Sequence, residues 1–265
     1  MSSTLLDKPI LFHDPNYHKR ILLFDIETAP NLAYVWGKWE QDVLSFKEHW
    51  YIISFAYKWL GEKETYVLSL PDFKTYKKHP TNDELLVNKL WDLFDKSDVI
   101  IAHNGDAFDI KKSNARFLKH GLEPPSPYAT IDTLKIARKY FKLDSNKLDD
   151  LGDFFNIGRK IQTGGFNLWL GCIAGDKEAW KKMTEYNKRD VILLEKVYLK
   201  LRGWNKQSAY INLVLGRPQS CRNCGGEHLH SHGEEWSGLS KYHRWKCLGC
   251  GANLKSIPDK DKPLR

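Results

Sequence analysis

The sequence predicts a mixed α/β sheet covered by helices on both faces, followed by a small metal-bound module at the C-terminal end. Three observations carry this expectation. The runs Ile21-Leu22-Leu23-Phe24 and Val99 to Ala102 are short and wholly apolar, as strands buried on both faces require. Aromatic and β-branched stretches at 51–60 and 64–70 flank Gly61-Glu62, and helical spacing then alternates with strands as far as residue 201. Two Cys-x-x-Cys pairs lie near the end of the chain.

In order, residues 1–19 are polar and irregular and predict a surface arm. The first apolar run is a central strand. Residues 51–60 and 64–70 form a hairpin. Asn82 to Phe94 carries Leu85, Leu86, Leu90 and Leu93 at helical spacing, with Thr81 or Asn82 as cap. After the strand at 99–102, a helix runs from about Asp106 to His120 and stops at Gly121 and Pro124-Pro125. Thr130-Ile131-Asp132 is a strand end leading into helices near 133–141 and 147–155. Residues 158–175 carry glycines without a period and predict a loop. A long helix follows from about Asp176 to Leu201, and Gly203 with Gly216-Arg217-Pro218 marks a boundary. There is no internal repeat and no low-complexity tract.

With 265 residues the chain is long enough for one sizeable core plus an appendage. Its formal charge of +8 favours polyanionic partners. No apolar run reaches the ~18–20 residues that span a bilayer. Asp7, His13 and Asp14 interrupt any signal-peptide pattern. A cytoplasmic protein with no membrane partner is the expectation. Cys172 stands alone and reads as a small semi-buried hydrophobe.

Three segments carry the chemistry. Asp25 and Glu27 stand two apart on a strand, so both leave the same face, opposite Phe24 and Ile26. Carboxylates this close repel, and a hard dication resolves the conflict. Asp109 follows the end of the 99–102 strand, where open α/β sheets build their sites. Asp106 suits a helix cap better. Tyr186 and Asp190 are spaced i, i+4 on the long helix, on a face continued by Leu193, Val197 and Leu201. That stripe packs on the sheet and presses Asp190 toward the core, where it needs a counter-charge. Convergence of these groups would make a two-cation cage able to cleave phosphodiester bonds.

Asp25-x-Glu27, Asn104-x-x-x-Phe108-Asp109 and Tyr186-x-x-x-Asp190, in this order, resemble the DEDD superfamily of 3′–5′ exonucleases in its tyrosine (DEDDy) subtype. The resemblance covers about residues 20–202. It is similar to proofreading domains of family B DNA polymerases and their stand-alone relatives, and implies an RNase H-like fold. It also implies two Mg²⁺ or Mn²⁺ ions: Asp25 bridging both, Glu27 and Asp190 completing one site, and Asp109 serving the second. Tyr186 would orient the attacking water. Asn104 would contact the terminal nucleotide, as would Phe108, for which a core position is equally open; Thr28 would hydrogen-bond the 3′ end, with closing the strand as the alternative. Asp132 reads as a helix cap rather than a fifth ligand. Lys160, Gln162 and Trp169 read as parts of a solvated loop, with phosphate or base contacts as the alternative.

Cys221-x-x-Cys224 and Cys247-x-x-Cys250 supply four thiolates for one structural Zn²⁺. His228, His230, His232 and His243 lie between the pairs and read as an exposed loop tract. The segment resembles a zinc ribbon. Its Arg and Lys residues, interleaved with Trp236, Tyr242 and Trp245, fit nucleic acid, with protein docking as the alternative.

The chain therefore divides into an arm (1–19), an exonuclease domain (20–202), a linker (203–217) and a zinc-ribbon domain (218–265). The expected activity is removal of nucleotides from single-stranded or frayed 3′ ends of nucleic acid, with single-stranded DNA as the expected substrate, in company with replication or repair proteins. The alternatives are a non-catalytic nucleic-acid-binding protein of the same fold and an RNase H-like endonuclease.

Overall fold

A computed structural model describes residues 20–39, 42–206, 210–237 and 240–256. The arm expected over 1–19 lies outside them. The first strand, β1 (Ile21–Thr28), is buried at Ile21 to Phe24 and at Ile26. Its side chains divide with period two. Leu22, Phe24 and Ile26 enter one core cluster, while Ile21 and Leu23 enter another. A strand covered on both faces is built this way. Asp25 and Glu27 continue the row of Ile21 and Leu23.

β2 (Leu32–Tyr34) and β3 (Ser45–Glu48) form a separate antiparallel pair that the sequence does not announce. Leu32, Tyr34 and Phe46 are exposed there, so no alternation of inside and outside marks the strands. β4 (Ile52–Trp59) and β5 (Tyr66–Ser69) are the expected hairpin, and β4 runs antiparallel to β1. Next come α1 (Glu84–Asp95), β6 (Val99–Ala102), α2 (Asp109–Lys119), β7 (Ala129–Asp132), α3 (Thr133–Tyr140) and α4 (Leu148–Phe154). β6 lies parallel to β1, and β7 to β6, giving the order β5-β4-β1-β6-β7. α5 (Asn167–Ile173) and α6 (Lys177–Leu201) complete this part.

Leu86, Leu90 and Phe94 of α1 and Phe117 of α2 cover one face of the sheet. Ile136 of α3, Leu151 of α4 and Leu194, Val197 and Leu201 of α6 cover the other. The expected mixed sheet between two helical layers is present.

Several local expectations are corrected. α2 starts at Asp109, three residues late, because residues 104–108 make a tight turn. Asn104 takes φ 65°, and its carbonyl accepts from the Phe108 N–H at 3.0 Å. A Cβ on Gly105 would lie 2.3 Å from that of Ala102, so the turn needs glycine. Asp106 therefore caps nothing; it pairs with Lys135 at 2.5 Å. Asp132 is the cap expected of it, accepting from the Leu134 N–H at 2.9 Å. Asn82 accepts from the Glu84 N–H at 2.9 Å, but the N-cap position of α1 is Asp83.

The segment 158–175 is not all loop, since it contains α5. Gly171 misleads the pattern: a Cβ there would meet that of Ala179 at 2.7 Å, so this glycine serves close helix packing.

After α6, a 3-10 turn (Arg202–Trp204) and α7 (Ile211–Val214) lead to β8 (Leu229–Ser237), β9 (Ser240–Cys247) and β10 (Asn253–Ser256). The last three form an antiparallel sheet in the order β10-β9-β8. His230 and His232 are exposed as expected, but on β8 rather than on a loop. Ile211 is buried in the cluster that holds Val197 and Leu201, so residues 203–217 include packed structure. Among the described residues, no helix is long and apolar enough to cross a membrane.

Candidate active site

β1 and α6 bring three carboxylates together. Asp25, Glu27 and Asp190 each offer an oxygen, and these atoms all lie within 4.8 Å of one another. The parity of β1 aims Asp25 and Glu27 at α6, and the buried stripe of α6 aims Asp190 back. Asp109 is buried nearby but stands outside this trio, its Oδ1 accepting from the Ile26 N–H at 3.3 Å.

The electrostatics are those of an acid-rich pocket short of cations. Burial, then Asp109, Glu27 and Asp190, push the Asp25 carboxyl well above the usual range, against Lys160. Burial and the neighbouring Asp190 raise Glu27 to about 8. Burial raises Asp109 to about 6, although the Ile26 N–H opposes it. Asp190 is raised by burial, against the pull of Lys160. Asp190 Oδ1 is buried without a hydrogen-bond partner.

Lys160 and Trp169 are not the solvated loop residues that the sequence led us to expect. Lys160 Nζ lies 2.6 Å from Asp190 Oδ2 and 3.3 Å from the Tyr186 hydroxyl. Its backbone N–H is fixed by Asp149 Oδ1 at 2.6 Å. The Trp169 ring meets that of Tyr186 edge-on, with centroids 6.0 Å apart, and Trp169 eases the upward push on the Glu27 carboxyl. Gln162 is exposed, as expected. Burial, with Asp190 and Glu27 beside it, raises the Tyr186 phenol, so it stays protonated at neutral pH.

Asn187 is a site residue that sequence reasoning passed over. It is buried, donates from Nδ2 to Asp25 Oδ2 at 2.9 Å, and accepts from Ser54 Oγ at 2.9 Å. Its one sequence signal is its position three residues before Asp190, on the same helix face.

Beside the carboxylates lies a cavity of about 590 Å³, lined among others by Thr28, Trp50, Phe108, Lys112, Phe166 and Trp169. Phe108 is 41% exposed, so it is not core. Lys112 Nζ sits 4.0 Å from the Trp50 ring centroid and 3.4 Å from Thr28 Oγ1. Asn104 does not line this cavity; its N–H donates to Asp132 Oδ1 at 2.9 Å.

The donor set fits a hard cation. Three carboxylates share one lysine, and an orphaned buried oxygen faces no donor. The four cysteines form a second cluster of different chemistry. Cys221 and Cys250 sulfurs are 3.6 Å apart, and those of Cys224 and Cys247 3.7 Å. Arms of about 2.3 Å in a tetrahedron put sulfurs roughly 3.8 Å apart, so this cluster fits a closed thiolate site.

Residues 40–202 match the family model RNase_H_2, described as RNase_H superfamily. The chain belongs to the RNase_H superfamily. Members of this superfamily are nucleases, and the matched range holds Asp109, Tyr186 and Asp190 but begins after β1. No curated protein matches the chain. Among solved structures it is similar to the family B DNA polymerase from the hyperthermophilic archaeon Pyrobaculum calidifontis, at 16% identity and a TM-score of 0.47. That similarity covers 85% of this chain and 32% of the polymerase, so the chain spans about a third of the polymerase's length.

Proposed function

We propose that this RNase_H-superfamily protein is a metal-dependent 3′–5′ exonuclease of the DEDDy type, acting on single-stranded or frayed 3′ ends. The observation that carries this reading is the convergence of Asp25, Glu27 and Asp190 around an unsatisfied carboxylate oxygen. Asp25 would hold both of two Mg²⁺ or Mn²⁺ ions, Glu27 and Asp190 one, and Asp109 the other, following the motif resemblance. When bound, such ions supply a nucleophile at neutral pH and charge for the leaving oxygen.

The chain's own residues do the remaining work. Asn187 holds Asp25 in place through Oδ2. Tyr186, protonated, donates a hydrogen bond that orients the attacking water. Lys160 balances the charge of Asp190 and keeps the carboxylate turned inward. Thr28, Phe108 and Trp169 border the cavity that would seat the terminal nucleotide. Asn104 shapes the turn before α2 and thereby places Phe108 and Asp109.

Residues 20–202 would be the hydrolytic unit. Residues 218–265 would be a zinc-ribbon module whose Cys221, Cys224, Cys247 and Cys250 hold one Zn²⁺. Residues 203–217 would connect the two. Replication or repair proteins are the partners this reading implies.

Incubation of 5′-labelled single strands with Mg²⁺ should give a stepwise ladder, and closed circular single strands should stay intact. An Asp25→Ala protein that degrades strands at the wild-type rate would overturn the assignment.

A further inference from the structure

We propose that the cleft between the end of α6 and the cysteine module is a second binding site, one that grips the phosphates of a nucleic-acid strand. The proposal rests on the reading of the protein as a nuclease and adds a site outside its carboxylates. The cleft encloses about 540 Å³ and is lined by Gly203, Asn205 and Lys206 after α6 and by Arg222, Glu235, Arg244 and Lys255 of the module.

Its walls are locked together. Asn223 Nδ2 donates to the Arg202 carbonyl at 2.9 Å and the Gly203 carbonyl at 3.2 Å. Arg202 Nη2 donates to the Gly249 carbonyl at 3.3 Å. A Cβ on Gly203 would lie 2.2 Å from the Cys250 carbonyl oxygen, so the two backbones are in direct contact. A preformed cleft loses little conformational freedom when a ligand enters.

Its charge is only partly compensated, since Glu235 also lines it and pairs with Lys255. Residues 217–256 carry six Lys or Arg against three Glu. Each Glu already has a cation: Glu227 pairs with Arg217 at 3.5 Å, Glu234 with Lys241 at 2.6 Å and Glu235 with Lys255 at 2.9 Å. Lys206 and Arg244 have no carboxylate partner among the described residues, yet both line the same cleft. Cations left unneutralised around one cavity repel, and an anion between them removes the cost. Guanidinium and ammonium groups are phosphate ligands of choice.

A strand suits the cleft better than an isolated anion. Lys206, Arg222 and Arg244 are separate cations along one cleft, and several such groups match the successive phosphates of a strand rather than one ion.

The test is fluorescence anisotropy of a long labelled single strand, titrated at several NaCl concentrations without divalent cations. It compares the full-length wild type, the Lys206→Glu/Arg244→Glu protein and the Lys206→Arg/Arg244→Lys protein. The charge-reversed protein should bind about tenfold more weakly at moderate salt, and its log–log salt slope should be shallower by about 1.4, two contacts on a single strand. The charge-conserving protein should bind as wild type does.

Hydrolysis of very short strands with Mg²⁺ should be equal in all three proteins. Unchanged affinity and slope on charge reversal would overturn the proposal, as would an equal loss in the charge-conserving protein. Competition by inorganic phosphate at the same phosphate concentration would also overturn it, since no strand is then needed. If no protein hydrolyses any strand while the binding difference persists, the cleft stands and the exonuclease reading falls.

Discussion

The two metal-competent clusters of this molecule are opposites. The cysteine cluster is assembled from two short segments, one ahead of β8 and one at the turn from β9 to β10, and its ligands are soft and within tetrahedral reach of one another. The carboxylate cluster joins β1 to α6 across most of the chain. Its ligands are hard, mutually repelling and left with an unmatched oxygen. A closed set of matched ligands stabilises a fold. A set that stores repulsion until a cation arrives is poised for chemistry.

The sharpest way to break this contrast is at the cysteines. Replacing Cys224 and Cys250 with serine should remove bound zinc and unfold the module of β8 to β10, whose site supplies on the order of 10–16 kcal/mol in comparable peptides. Zinc content by mass spectrometry and loss of the module's amide protection would show it. Hydrolysis of very short strands should survive. If zinc is retained, the cluster is not the metal site.

At the carboxylates the expected result is reversed. Asp190→Asn should abolish hydrolysis of labelled strands and leave the fold intact in circular dichroism. Asn187→Ala should be milder. It frees Asp25 without removing a ligand, and loss of such support typically costs 10- to 100-fold in metal affinity or activity. An Asn187→Ala protein with the wild-type Mg²⁺ dependence of rate would show that Asp25 needs no such tether.

The smallest effect is on stability against pH. Glu27 is raised from the ordinary 4.5 to about 8, so the fold favours its protonated form. The stability this gives is complete below pH 4.5 and is lost as pH rises through about 8. Metal-free protein should therefore lose Tm between about pH 5 and about pH 9, and saturating Mg²⁺ should narrow the loss. A Tm that rises over this range without metal would contradict the picture of repelling carboxylates.

The same contrast explains what could be read from the amino acids. The cysteine pairs are visible because their ligands recur at a short fixed spacing. Asp25 and Glu27 are legible because β1 alternates, and Asp190 because it interrupts an apolar stripe on α6. The sheet was legible for the same reason, since Ile21 to Phe24 and Val99 to Ala102 are apolar on both faces. What was missed depends on tertiary contact. Lys160 sits in a glycine-bearing segment without a period, and only its distance from Asp190 reveals it. α5 was hidden because Gly171, which reads as a breaker, serves close packing on Ala179. The pair β2–β3 was hidden because its apolar side chains face outward.

Anomalous diffraction from crystals soaked in Mn²⁺ would see the cation cage itself. A manganese peak is expected about 2.1 Å from oxygens of Asp25, Glu27 and Asp190, the spacing of a hard six-coordinate cation. A protein that degrades strands in Mn²⁺ yet shows no peak among these three carboxylates would contradict the cage.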